Sequence, residues 1–272
     1  MKTLAIVLPG GTRGIGLGMA RNFLDRGHRI CITGRSVESV GAALTELDAA
    51  SRDGRAMGVA CDVGALDQVQ ASYEAAAKAF GQVDIWINNA GVANLMADFE
   101  TIAREEYENV VRTNIIGTLN GCKVALAAMK KQGHGQIYNF EGFGSDGRLN
   151  NGLSVYGMTK RAITYFTAAL IKENQNQPVN VGYMSPGIVI TDMVTQEAEH
   201  MSKDRWERTK RIYNIIADPA DIVTPWLADA VIADVGKHGS ALRYLTPRKA
   251  AWRFFKAFVL RQKRDLFSEL GI

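Results

Sequence analysis

Short apolar runs alternate with longer amphipathic or alanine-rich stretches along the whole chain. The runs are Leu4–Leu8, Arg29–Thr33, Ala56–Ala60, Val83–Ile87, Gln136–Phe140 and Val179–Met184, with a weaker seventh near Leu242–Leu245. Between them lie stretches such as Ala65–Phe80, Gly117–Lys131 and Val155–Glu173. Strands that alternate with helices imply parallel pairing through right-handed crossovers. The runs lack strict polar alternation, as expected of strands covered on both faces. The pattern predicts an α/β fold: a doubly wound, mostly parallel sheet in a single domain. Its body is predicted over residues 1–246, with residues 247–272 as a C-terminal helical extension of the same domain. The stretch from Asp192 to Ile216 is less regular and rich in charge, and reads either as a substrate lid or as a surface loop.

Composition narrows the class. A chain of 272 residues with 47% apolar and 22% charged residues can bury one large core. No run of eighteen apolar residues occurs, so a transmembrane helix is not expected. The apolar start of the chain runs into a glycine-rich turn and not a small-residue cleavage site, so it reads as a first strand. Cys31, Cys61 and Cys122 have no metal or redox spacing and read as buried free thiols. No residue pattern marks a metal site, and the expected compartment is the cytoplasm or an organelle stroma. The net charge of +4 is unevenly spread. Residues 243–264 hold eight basic residues and no acidic one; removing those eight from the 32 leaves 24 against 28 acidic residues. The basic character belongs to the C-terminus, which argues against a general nucleic-acid binder.

The first strand leads into Gly10-Gly11-Thr12-Arg13-Gly14-Ile15-Gly16, and a helical pattern follows. Glycines there permit a tight turn and let a pyrophosphate approach backbone N–H groups at a helix N-terminus, the device of a Rossmann-type nucleotide site. No Gly-Lys-Ser/Thr follows, so an NTPase loop is disfavoured. An NAD site would place an acidic residue near the end of the second strand. Arg35 stands there instead, and Arg13 lies in the glycine loop. Two guanidinium groups can hold a 2′-phosphate, so NADPH/NADP+ is favoured over NAD, unless both are only solvated surface residues. Asp62, before Val63, either accepts from an adenine amino group or caps the next helix. Asn88-Asn89-Ala90-Gly91 ends the fourth strand, where asparagine can stitch strand ends and small residues leave room for a cofactor.

Tyr156 and Lys160 stand one helical turn apart and share a face. Taken in order with the glycine loop, Asp62, Asn88–Gly91, Asn114 in Asn-Ile-Ile-Gly, and Pro186-Gly187 followed by Thr191, they resemble the short-chain dehydrogenase/reductase family over residues 4–192. The resemblance implies roles. Tyr156 would protonate a carbonyl oxygen as hydride arrives, and Lys160 would favour the phenolate and bind the nicotinamide ribose. Asn114 would hold a relay water, and Pro186, Gly187, Val189 and Thr191 would meet the nicotinamide carboxamide. A dimer or tetramer built on the helices at Gly117–Lys131 and Val155–Glu173 is implied as well. Free tyrosine titrates near 10, too high for easy exchange at neutral pH without such help.

One position departs from the family, which usually has a serine after the fifth strand. Here the strand runs Tyr138-Asn139-Phe140-Glu141-Gly142, with glycine at the expected place. Either Ser145 reaches in, or a backbone N–H substitutes, or the reaction needs less help. Losing one oxyanion donor costs about 100- to 1000-fold, so a non-catalytic NADP(H)-binding sensor stays a rival. The departure also carries a narrower resemblance. Asn139–Arg148, Tyr156–Arg161, Ile85–Asn89 and Leu242–Pro247 are similar to segments of chlorophyll(ide) b reductases. That resemblance implies NADPH-dependent reduction of a 7-formyl to a 7-hydroxymethyl group; another bulky apolar aldehyde or ketone is the alternative substrate.

Thr246-Pro247 reads as an N-cap and first helical residue. On a helical wheel Trp252, Phe254, Phe255, Phe258 and Val259 fall on one half, and Arg253, Lys256, Arg261, Lys263 and Arg264 on the other. Such a helix could lie on an anionic membrane. The competing expectation is that its aromatics pack on the body or across a subunit interface, with the basic face solvated.

Overall fold

The computed structural model describes residues 2–47, 54–191, 194 and 201–269. Among these residues, seven strands form one wholly parallel sheet in the order β3-β2-β1-β4-β5-β6-β9. They are β1 (Ala5–Pro9), β2 (Arg29–Gly34), β3 (Ala56–Ala60), β4 (Ile85–Asn88), β5 (Gly135–Phe140), β6 (Val179–Ser185) and β9 (Ala241–Arg243). Strand β1 pairs with β2 on one side and β4 on the other, so the strand order reverses between β1 and β4. A crevice opens at such a reversal, beyond the carboxyl ends of the strands.

Neighbouring positions on each strand serve opposite cores. Ile6, Leu8, Ile30, Ile32, Ile85 and Ile87 face a cluster with Met19 and Phe23 of α1 (Gly14–Asp25), Ala43 of α2 (Val37–Glu46) and Leu227 of α8 (Ala220–Asp234). Val7, Cys31, Trp86 and Ile137 face the other cluster. There they meet Val69 and Tyr73 of α3 (Leu66–Phe80), Cys122 of α5 (Gly117–Gln132) and Leu170 of α6 (Ser154–Glu173). Burial on both faces explains the absence of polar alternation. All three cysteines are buried free thiols, and burial pushes Cys31 and Cys122 up to about 12.

Helix α4 (Arg104–Val111) passes through a π-turn at Arg112–Ile116 into α5. The Asp192–Ile216 stretch contains a regular element: α7 (Lys203–Ile216), capped by the Ser202 hydroxyl, which accepts from Arg205 N–H. Residues 192–193 and 195–200 of that expectation lie outside the described residues. A second small sheet, unforeseen from the sequence, pairs β7 (Val189–Ile190) with β8 (Asp218–Pro219).

The C-terminal helix α9 (Pro247–Phe258) starts where expected, with Thr246 Oγ1 accepting from Lys249 N–H at 3.2 Å. It ends at Phe258, short of Arg261, Lys263 and Arg264 among the basic residues placed on its wheel, and Arg261 takes a left-handed backbone (φ 54°). The chain then turns back to bury Leu266 and Phe267 of α10 (Leu266–Glu269) against Trp206 of α7. Its packing corrects one expectation. Arg253 of the helix and Arg264 beyond it turn to the body and both pair with Asp218, at 2.6 and 2.8 Å, while Arg261, Lys263 and the aromatic side are exposed. No described helix is long and apolar enough to cross a membrane.

Candidate active site

The glycine loop leaves β1 at Gly10, whose positive φ of 75° suits glycine. A Cβ on Gly10 would stand 2.7 Å from Ala90 Cα, and one on Gly16 would stand 2.2 Å from the Gly10 carbonyl oxygen. The close approach of the β1 and β4 ends requires glycine at Gly10, and the packing of the first turn of α1 on the loop requires it at Gly16. Asn89 locks them: its Nδ2 donates to the carbonyls of Pro9 (3.2 Å) and Gly10 (2.8 Å). Helix α1 begins behind Arg13 with no side-chain cap and no acidic residue in its first turn. Its first N–H groups are thus left to a ligand anion.

Thr12 lies over the end of β2, where a Cβ on Gly34 would meet its Cγ2 at 2.5 Å. Arg13 and Arg35 are both exposed, and neither has an ion-pair partner among the described residues. Ile15 packs on the core beneath the loop. Thr191, following β7, approaches the loop from the far side, and a Cβ on Gly14 would stand 3.6 Å from its Cγ2. Pro186 and Val189 are buried, and Gly187 turns the chain with φ 75°.

Asp62 does not cap the helix that follows. Its Oδ1 accepts from Gly64 N–H and its Oδ2 from Arg112 Nη2, each at 2.8 Å, and α3 begins behind Ala65 without a side-chain cap. Val63 is buried under Gly117, and its carbonyl accepts from Asn120. At the end of β4, Asn88 stitches the strands: Nδ2 donates to Asn139 Oδ1 on β5 at 2.7 Å, and Oδ1 accepts from Trp86 Nε1 at 2.7 Å.

Across the crevice, α6 presents Tyr156 and Lys160. The Lys160 ammonium lies 5.7 Å from the centre of the Tyr156 ring and donates to the Phe140 carbonyl at 3.3 Å. Lys160 is 6% exposed, and burial alone lowers its pKa to about 8. Asn114 sits in the π-turn, a distortion common at functional sites. Its Oδ1 accepts from Val92 N–H, and its Nδ2 donates to the Val92 carbonyl and to Thr159 Oγ1. Thr159 in turn donates to the Tyr156 carbonyl at 2.7 Å. Asn114 thus ties Gly91-Val92 to the first turns of α6.

Gly142 lies directly against the pair. A Cβ there would stand 2.6 Å from the Tyr156 hydroxyl and 3.1 Å from Lys160 Cε. Ser145 Oγ accepts from Gly142 N–H at 3.1 Å and donates to the Lys160 carbonyl at 3.4 Å. A hydroxyl has one proton to give, and this one is directed to the Lys160 carbonyl on α6. The Gly142 N–H is engaged by Ser145 Oγ, so both of these substitutes for the missing serine already have partners within the fold.

Two supports were not legible beforehand. Asn94, buried and remote in sequence, accepts from Tyr156 N–H at 3.2 Å and donates to the Gly152 carbonyl, steadying an α6 start that Leu153 leaves uncapped. No local signal marks it. Glu141, also buried, forms a two-pronged pair with Arg243 of β9 at 3.0 and 3.1 Å. That pair joins two of the segments singled out in the sequence, and it anchors the Gly142 turn to the sheet edge.

The sequence model of the short chain dehydrogenase family matches residues 4–202. Among curated proteins, the chloroplastic chlorophyll(ide) b reductase NOL of Oryza sativa subsp. japonica is 33% identical over 96% of this chain and 77% of its own. A probable chloroplastic chlorophyll(ide) b reductase, NYC1, of the same species is 31% identical over 94% of this chain and 52% of its own length. Among solved structures, an actinorhodin polyketide ketoreductase with NADPH is 26% identical, with TM-score 0.78 over 91% of this chain and 97% of that one. With the glycine cradle and the Tyr156–Lys160 pair converging on one crevice, these likenesses establish that the chain belongs to the short-chain dehydrogenase family and is an NAD(P)-dependent oxidoreductase.

Proposed function

We propose that the protein is an NADPH-dependent carbonyl reductase acting on a bulky apolar substrate, with the 7-formyl group of chlorophyll(ide) b as the leading candidate. The observation that carries the reading is the Tyr156–Lys160 pair on α6, whose ammonium lies 5.7 Å from the centre of the phenol ring with the bare Gly142 backbone packed directly against both. The likeness to the two rice reductases over nearly the whole of this chain favours the pigment within that class.

NADPH, when bound, supplies the hydride. The residues present fit it: the uncapped start of α1 offers N–H donors to the pyrophosphate, and Arg13 and Arg35 offer cations to the 2′-phosphate. Asp62 and Val63 are assigned to the adenine. Asn89, Ala90 and Gly91 form the floor, and Pro186, Gly187, Val189 and Thr191 the nicotinamide side. Tyr156 gives its proton to the substrate oxygen. Lys160 stabilises the negative charge developing on the phenol oxygen and returns a proton towards it, with Asn114 assigned to the relay. Ser145 acts through others, holding the Gly142 turn and the Lys160 backbone in place.

Incubation with chlorophyllide b and NADPH tests the assignment directly: the 7-hydroxymethyl product is expected. Binding of NADPH without turnover of this or any other aldehyde would point to a sensor. Arg35→Ser is expected to raise KM for NADPH about thirtyfold, from the loss of about 2 kcal/mol in a charge-assisted contact, and to leave KM for NADH unchanged. The pH profile follows from Lys160. Because burial lowers its pKa to about 8, the ammonium is present below that pH and lost above it. The value of kcat/KM for reduction should be level below pH 8 and fall about tenfold per unit above it.

A further inference from the structure

We propose that α9 seats the protein on an anionic lipid bilayer through its aromatic face. None of the residues of α9 is buried. Trp252 is 53% exposed and Phe258 71%, and Phe254, Phe255, Val259 and Leu260 are exposed beside them. Trp252 stacks on Phe255 and Phe254 on Phe258, so the rings form two ordered plates on the outside of the molecule. A contiguous apolar surface of this kind marks an interaction site.

Its outward orientation is held by the body. Arg253 donates to Asp218 and to the Ile216 carbonyl, Arg264 donates to Asp218, and the Lys249 ammonium lies 3.3 Å from the centre of the Tyr244 ring. These contacts direct one side of the helix inward and leave the aromatic side facing solvent.

The charge selects the occupant. Residues 243–264 contain no acidic side chain. Arg248 before the aromatic face and Arg261 and Lys263 after it are exposed, without ion-pair partners among the described residues. A second copy of the same face would bring these like charges together, which is unfavourable. A bilayer bearing anionic headgroups meets both requirements: aromatic side chains enter the headgroup–acyl boundary, and flanking cations pair with phosphates. The proposal is independent of the substrate, because vesicle binding requires no turnover.

The full-length protein is mixed with sedimentable vesicles of phosphatidylcholine alone, or of phosphatidylcholine and phosphatidylglycerol in equal parts. Binding to the anionic vesicles, weakening as salt rises, is expected. Trp252→Ala with Phe258→Ala should reduce it more than tenfold. Arg261→Gln and Lys263→Gln should each reduce it about fivefold. Unchanged NADPH affinity in each variant verifies that it is folded, and the charge variants keep the test valid if the aromatic pair proves poorly soluble. Equal binding to neutral vesicles, no binding to either, or a dimer that the aromatic substitutions split would overturn the proposal.

Discussion

Tyr156→Phe is expected to lower kcat/KM for NADPH-dependent reduction by about a thousandfold, the middle of the range for a positioned general acid. NADPH affinity and melting temperature should change little. Two supports of this residue act on its backbone: Asn94 receives its N–H, and Thr159 donates to its carbonyl. Removing the hydroxyl touches neither. Rapid-mixing assays on the bulky aldehyde, with fluorescence titration of NADPH, separate the two quantities. Activity within tenfold of the unsubstituted protein would remove Tyr156 from the chemistry and leave the reductase assignment without its acid.

Gly142→Ser, which supplies the side chain the family usually carries, is expected to lower kcat about a hundredfold and not to raise it. Two effects compete. A new hydroxyl offers an oxyanion donor worth about 100- to 1000-fold. The Cβ that carries it would stand 2.6 Å from the Tyr156 hydroxyl, so the phenol must shift, and misplacement by about 1 Å costs on the order of a hundredfold. A donor that displaces the acid cannot assist it, so the steric effect should win. Gly142→Ala isolates that effect, because it brings the Cβ without the donor. If the serine variant outpaces both the alanine variant and the unsubstituted chain, the close contact between Gly142 and the Tyr156 hydroxyl does not limit the acid.

Much of the frame was legible because strands covered on both faces write themselves as apolar runs. All seven strands of the main sheet lie within two residues of the runs read from the chain, including the weaker seventh, which is short and sits at the edge. The glycine loop was legible for a related reason. Gly10 and Gly16 tolerate no Cβ, and a backbone requirement of that kind must appear as residue type. The four-residue spacing of Tyr156 and Lys160 was similarly local, set by the helical repeat.

Other features depended on partners far apart in the chain. Whether Ser145 faces the substrate or its own turn depends on Gly142 N–H and the Lys160 carbonyl, and only the folded loop shows its proton committed. Asp62 reads equally well as a helix cap until Arg112 takes its second oxygen. The helical wheel separated the aromatic from the basic side of α9, yet could not tell which side turns inward. Asp218, whose carboxylate meets Arg253 and Arg264, decided it.

By itself, then, the chain determined whatever rests on local backbone geometry and periodic burial: the parallel sheet, the phosphate turn, and the shared face of phenol and ammonium. Tertiary structure decided which polar groups are already satisfied. Hydrogen bonds and ion pairs join atoms by proximity in space, and a side chain with one proton to donate can serve a neighbouring helix carbonyl or the substrate, but not both.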